Sequence, residues 1–168
     1  MKVVAITGGI GVGKTIVCDF FKSFGASVYF SDIAAKAIMV SDLVLKDSIE
    51  SLLGKDAYLK DGGLNKAHIA SEIFGDPKKR QALNELVHPA VSSDFEKWLL
   101  KESQKANRLN YVIYESALVF ENQKEAAFDA LILVTAPVDE RIERVVRRDA
   151  KSKSEVSAVM KAQFLDNK

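Results

Sequence analysis

At 168 residues and 48% hydrophobic content, the chain is long enough to bury one core and too short for two independent domains. Its 24 Lys and Arg against 23 Asp and Glu leave a net charge of +1, which excludes whole-chain recruitment to nucleic acid or to an acidic membrane, so any anion binding has to be local. The single cysteine, Cys18, excludes an intramolecular disulfide and a CxxC site; it reads as a core residue and suits a reducing cytosol, so a cytoplasmic location is expected.

The opening apolar run, Val3 to Thr7, is cut by Gly8 and Gly9 and is too short for a signal peptide or a membrane span. Its β-branched, non-alternating character predicts a central parallel strand buried on both faces. Ile16, Val17, Phe20, Phe21 and Phe24 then recur at helical spacing from Lys14, with Gly25 as the C-terminal stop. Ala26 to Phe30 reads as a second strand, which completes a βαβ unit and places Asp32 just past a strand's carboxyl end.

Residues from about 33 to about 107 hold no convincing strand pair, and their apolar residues recur at three and four, as in Leu45, Ile49, Leu52 and Leu53. A mostly helical insertion is expected there, with a turn at Asp61-Gly62-Gly63 and a helix start at Asp76-Pro77. Lys78-Lys79-Arg80 reads as solvated helix surface. Tyr111 to Tyr114, ending in Glu115, and Ala130 to Thr135 return to the strand pattern. Pro137 is expected to open a helix with Val138, Ile142, Val145 and Val146 facing inward and Arg141, Arg144, Arg147 and Arg148 pointing elsewhere. Strands alternating with helices give an α/β class: a three-layer parallel sheet flanked by helices.

Gly8-Gly9-Ile10-Gly11-Val12-Gly13-Lys14-Thr15 satisfies GxxxxGK(S/T) between a predicted strand and a predicted helix, where a P-loop has to lie. Glycines let successive backbone N–H groups converge on one anion, and the following helix adds the positive end of its dipole. Lys14 is placed to neutralise β- and γ-phosphate charge, and the Thr15 hydroxyl to ligate Mg²⁺. A glycine-rich connector with no ligand is the bland alternative, which the full register makes a poor fit. A GTP- or ATP-binding switch is disfavoured, because the nearest guanine-reading segment, Asn65-Lys66-Ala67-His68, lacks the aspartate. Another small-molecule kinase, of nucleoside, nucleotide or shikimate type, would share the P-loop and is the alternative within enzymes.

Thr7 to Thr15, Asp32, Asp61-Gly62, Leu83-Asn84, His88-Pro89, Leu118, Phe120-Glu121 and Arg144 to Asp149 together resemble the dephospho-coenzyme A kinase family across nearly the whole chain. The resemblance implies a single P-loop kinase domain over 1–168, with an acceptor-substrate insertion at about 33–107 and a lid at about 138–155. It implies transfer of the ATP γ-phosphoryl group to the ribose 3′-hydroxyl of dephospho-coenzyme A, the last step of coenzyme A synthesis. ATP and Mg²⁺ are then the cofactors, the phosphates being held by residues 8 to 16, that is Gly8 through Ile16, with Arg148. Asp32 takes the catalytic base position and Arg144 the position of a lid arginine acting on the transferred group, with Lys14 beside them. His88 and Asp32 fall in the acceptor site.

Several of these residues carry a second reading. Asp32 also suits an N-cap for a helix beginning near Ile33. Glu115 is either a Walker-B-type acid for Mg²⁺ or an ordinary strand-end carboxylate. His88-Pro89 also suits a helix start, and the arginines with Glu140, Glu143 and Asp149 also suit a salt-bridged face. The chain departs from the family pattern at Phe30, where an aspartate is usual, at Ile16, where a hydroxyl is usual, and at Ser116, where a proline is usual. The family's last strand and helix would follow Gln163-Phe164. The uniformly apolar Ala130 to Val134 is expected to be flanked on both edges, so either a longer natural product or self-association is expected to cover it.

Overall fold

Strand β1 (Lys2–Thr7) is apolar without alternation because both of its faces are covered: Ala5 and Ile6 are 0% exposed and Thr7 1%. In the computed structural model, which describes residues 1–150 and 152–163, β1 pairs in parallel with β3 (Tyr111–Glu115) on one side and with β4 (Ala130–Leu133) on the other. Strand β2 (Val28–Phe30) pairs with β3, giving a parallel sheet of order β2-β3-β1-β4. The chain leaves β1 towards one edge of this sheet and leaves β3 towards the other. Their carboxyl ends therefore flank a topological switch point, the usual place for a ligand in an open parallel sheet.

Helix α1 (Lys14–Ser23) ends as Gly25 predicts, in a Schellman turn: Gly25 N–H donates to the Lys22 carbonyl at 2.8 Å and Ala26 N–H to the Phe21 carbonyl at 3.0 Å, with Gly25 at φ 89°. Because Ala26 is used by this cap, β2 starts later than the apolar run suggested. Val17, Cys18 and Phe21 pack against Ile6, Ala26 and Ile113 in the core. Ile16, Phe20 and Phe24, expected on the same apolar face, are instead a stripe at 63, 62 and 74% exposure.

Cys18 is the core residue the sequence suggested, fully buried, and burial pushes its thiol pKa up to about 11, with the negative charge of Glu115 adding to the effect. The group is protonated, and so a poor nucleophile, throughout the neutral range. A thiol-specific alkylating reagent is expected to leave the native chain unmodified and to label it stoichiometrically in denaturant. Rapid labelling of the native chain by intact mass would contradict this packing.

The described residues divide into two units, Met1–Phe30 with those from Glu102 onward, and Ser31–Lys101. The second is helical, as the three-and-four spacing predicts: α2 (Ser31–Ser41), α3 (Leu43–Leu53), a 3₁₀ turn (Lys55–Ala57), α4 (Lys66–Phe74) and most of α5 (Pro77–Ser103). Met39, Leu45, Ile49, Leu53, Ala57, Tyr58 and Ile69 are buried, and the Tyr58 hydroxyl donates to the Met39 carbonyl at 2.7 Å. Asn65 is the N-cap of α4, its side chain accepting from His68 N–H at 3.2 Å; the near match to a guanine-reading segment is thus explained as a helix cap. Asp76 accepts from the N–H groups of Lys78 and Lys79 at 2.9 and 3.2 Å, which starts α5 at Pro77 as predicted. Lys79 pairs with Glu72 on the surface.

Two further expectations change. His88-Pro89 does not start a helix: Pro89 lies inside α5, which began at Pro77. Among the described residues β4 pairs only with β1, and Ala130 and Leu133 are exposed; the strand expected to follow Gln163-Phe164 lies outside the described residues. After β4 the chain continues through α6 (Val138–Asp149) into α7 (Lys153–Ala162), whose N-terminus is closed by a capping box between Ser152 and Glu155. Finally, α6 buries Arg141 together with Val145 and leaves Val138 at 55% exposure, so its inner face is not purely apolar.

Candidate active site

The loop after β1 is shaped by what surrounds it. Gly8 has φ 144°, and a Cβ there would run into the Val134 carbonyl at the end of β4; Gly11 has φ 80°, and a Cβ there would lie 2.7 Å from the Arg141 carbonyl. Only glycine satisfies both the backbone angle and the space. Gly13, also at positive φ, is the N-cap of α1, and its carbonyl accepts from Ile16 N–H at 3.0 Å to start the helix. The first turn of a helix carries N–H groups without intrahelical partners and the positive end of the dipole, so the loop and helix together form an anion cradle.

Lys14 folds back over this loop. Its Nζ donates to the Gly8 carbonyl at 2.9 Å and to the Gly9 carbonyl at 3.4 Å, and it stands 3.8 Å from Glu115 Oε1. Glu115 ends β3, in register with Ile6 on β1 and Phe30 on β2, and is buried. The strand-end acid suggested by the sequence is therefore brought to the P-loop lysine, a placement that the Walker-B-type reading and an ordinary ion pair share. Thr15 is exposed in the first turn of α1, followed by the exposed Ile16; Val12 is buried. At Ser116, where the family pattern has proline, the chain turns by another means: Ser116 N–H donates to the Ile6 carbonyl at 3.1 Å and its hydroxyl accepts from Leu118 N–H at 3.3 Å. Thr7 Oγ1, at the base of the loop, is buried without a hydrogen-bond partner among the described residues.

Of the predicted lid arginines, Arg144 reaches the loop, donating to the Gly11 carbonyl at 3.4 Å while also pairing with Glu140. Arg148 is held by its neighbour instead, with Nε 2.7 Å and Nη2 2.9 Å from the two carboxylate oxygens of Asp149, a bidentate pair that raises the guanidinium pKa. Sequence reasoning placed Arg141 among the arginines pointing away from the core and passed over Gln163. Arg141 is 5% exposed and donates through Nε to the Ile10 carbonyl at 3.0 Å, and Gln163 Oε1 accepts from Ile10 N–H at 2.8 Å. A signal for Arg141 was present: it lies one helical turn before Val145 and so shares the inner face of α6. Nothing local marked Gln163.

Asp32 and His88 belong to the second unit. Asp32 lies within the first turn of α2, which begins one residue earlier at Ser31; the helix-cap reading is therefore set aside, and the exposed carboxylate complements the helix dipole. His88 is half-buried within α5.

The family model described as dephospho-CoA kinase matches residues 2–168. A dephospho-CoA kinase of Salinibacter ruber is 36% identical over 164 residues, covering 98% of this chain and 81% of the relative. The crystal structure of TT1252 from Thermus thermophilus superposes with a TM-score of 0.83 at 29% identity, over 97% of this chain and 80% of that one. A dephospho-CoA kinase from Campylobacter jejuni, 19% identical, shares the fold with a TM-score of 0.62 over 96% of this chain and 79% of its own. A nucleoside or shikimate kinase and a nucleotide switch would each share the P-loop, but the match runs over residues 2–168, and on that extent the chain belongs to the dephospho-CoA kinase family.

Proposed function

We propose that this chain transfers the γ-phosphoryl group of ATP to the ribose 3′-hydroxyl of dephospho-coenzyme A, releasing ADP and coenzyme A in the cytoplasm. The observation that carries this reading is the Lys14 ammonium held over a glycine cradle beside a buried carboxylate, in a chain matched by the family from end to end.

In this reading the cradle from Gly8 to Thr15 binds the phosphates and Lys14 exchanges its carbonyl contacts for β- and γ-phosphate oxygens. Asp32 orients the acceptor hydroxyl and takes its proton as the new P–O ester bond forms and the bond to ADP breaks. His88 lies on the acceptor-binding insertion. Arg144, whose guanidinium reaches the loop, offsets charge on the transferred group. Arg148 contacts ATP by exchanging its pair with Asp149 for the nucleotide. The Thr15 hydroxyl and Glu115 carboxylate are two hard oxygen donors beside the cradle, a set that suits Mg²⁺, an ion that keeps most of its water shell. Bound there, Mg²⁺ would spread the charge of the β- and γ-phosphates.

No helix among the described residues is long and apolar enough to cross a membrane. The test is ADP release measured with dephospho-coenzyme A, adenosine, nucleoside monophosphates and shikimate offered separately. Turnover with dephospho-coenzyme A alone is expected. Equal turnover with another acceptor, or none with dephospho-coenzyme A, would overturn the assignment.

A further inference from the structure

Both backbone hydrogen-bonding groups of a single P-loop residue, Ile10, are gripped by side chains from far along the chain. Ile10 N–H donates to Gln163 Oε1 at 2.8 Å, and the Ile10 carbonyl accepts from Arg141 Nε at 3.0 Å. The neighbouring Gly11 carbonyl accepts from Arg144 at 3.4 Å. The fit is close as well as polar, because a Cβ on Gly9 would strike the Arg141 guanidinium and one on Gly11 would meet the Arg141 main chain. Gln163 is itself fixed as the C-cap of α7, its N–H donating to the Met160 carbonyl at 3.2 Å.

A segment this rich in glycine samples many backbone states when unrestrained, and ordering it on binding would cost affinity. Fixing the orientation of the peptide planes on either side of Ile10 removes much of that freedom in advance. The loop's other N–H groups then need no reorganisation to converge on a phosphate. Both grips come from α6 and the end of α7.

We propose that Arg141 and Gln163 are positioning residues that hold the Gly9–Ile10–Gly11 backbone in its phosphate-receiving shape, so that the α6–α7 segment sets part of the affinity for ATP without touching the acceptor. The proposal rests on the nucleotide reading of the P-loop given above. It predicts an effect confined to one substrate, which a general loss of stability would not produce.

The test compares wild type with Gln163→Leu, which removes the acceptor for Ile10 N–H. Three quantities are read: affinity for a non-hydrolysable ATP analogue by calorimetry, KM for dephospho-coenzyme A, and hydrogen exchange at the Ile10 amide. Affinity for the analogue is expected to fall about tenfold, the size of one lost hydrogen bond, and Ile10 exchange to accelerate. The acceptor KM and the thermal midpoint are expected to stay near wild type. Arg141→Lys, which keeps the charge but not the reach of the guanidinium, is expected to act in the same direction. If Gln163→Leu does not fold, Gln163→Met, of similar length and with only a weak acceptor, is judged by the same criteria. Unchanged analogue affinity, or parallel losses in both substrates and in thermal midpoint, would overturn the proposal. A wild-type chain that binds no analogue would overturn the functional reading and this proposal with it.

Discussion

Lys14→Ala is expected to lower turnover by roughly two orders of magnitude or more and to weaken ATP binding, while leaving the chain folded. The geometry gives the reason. The Lys14 ammonium is the cation the P-loop itself supplies, lying across the Gly8 and Gly9 carbonyls at 2.9 and 3.4 Å and 3.8 Å from Glu115. Charge that develops on the β- and γ-phosphates would lose its point neutraliser, and the Glu115 carboxylate, buried beside that position, would be left to repel the nucleotide. The fold should survive, because the core around Ile6, Cys18, Ala26 and Ile113 draws nothing from this side chain. Calorimetric titration with a non-hydrolysable ATP analogue, run beside steady-state assays, separates binding from catalysis. Unchanged affinity together with unchanged turnover would remove the P-loop assignment.

Asp32→Asn is expected to keep ATP binding and to lower turnover by roughly 10²- to 10⁴-fold, the range for a lost general base. Asparagine keeps the shape and removes the charge, so the substitution asks about proton transfer more than packing. Asp32 is exposed in the first turn of α2, where its helix-dipole contribution is worth only about 0.3–1 kcal/mol, so little stability should be lost. If activity is nearly unaffected while the thermal midpoint drops, Asp32 is structural and the base lies elsewhere.

The sequence made the site's local chemistry legible and left its long-range contacts hidden. The P-loop could be read because its glycines, lysine and threonine act through one continuous stretch of backbone, and Gly25 marked the end of α1 for a similarly local reason, a left-handed cap. Glu115 was readable as a strand-end acid, but its approach to Lys14 depends on the parallel register of β1 with β3, which no local pattern encodes. The same limit explains Arg141 and Gln163: their partner, Ile10, is 131 and 153 residues away. Arg141 was also masked by composition, since four arginines on one helix look alike until one of them is buried. Arg148 fitted the motif, yet its local partner Asp149 holds it in this structure. Only the second reading of His88-Pro89, as a helix start, fails, because Pro89 is tolerated inside a long helix, where the usual stop rule is a tendency and tertiary packing decides.

The most direct test of the central claim is the fate of the phosphoryl group. The purified chain would be incubated with dephospho-coenzyme A and ATP labelled in its γ-phosphoryl group, and the product examined by mass spectrometry and phosphorus NMR. The account predicts that the label appears in coenzyme A as a monoester on the ribose 3′-oxygen, with ADP formed in equal amount. Label recovered only as inorganic phosphate, or on a different acceptor oxygen, would contradict it.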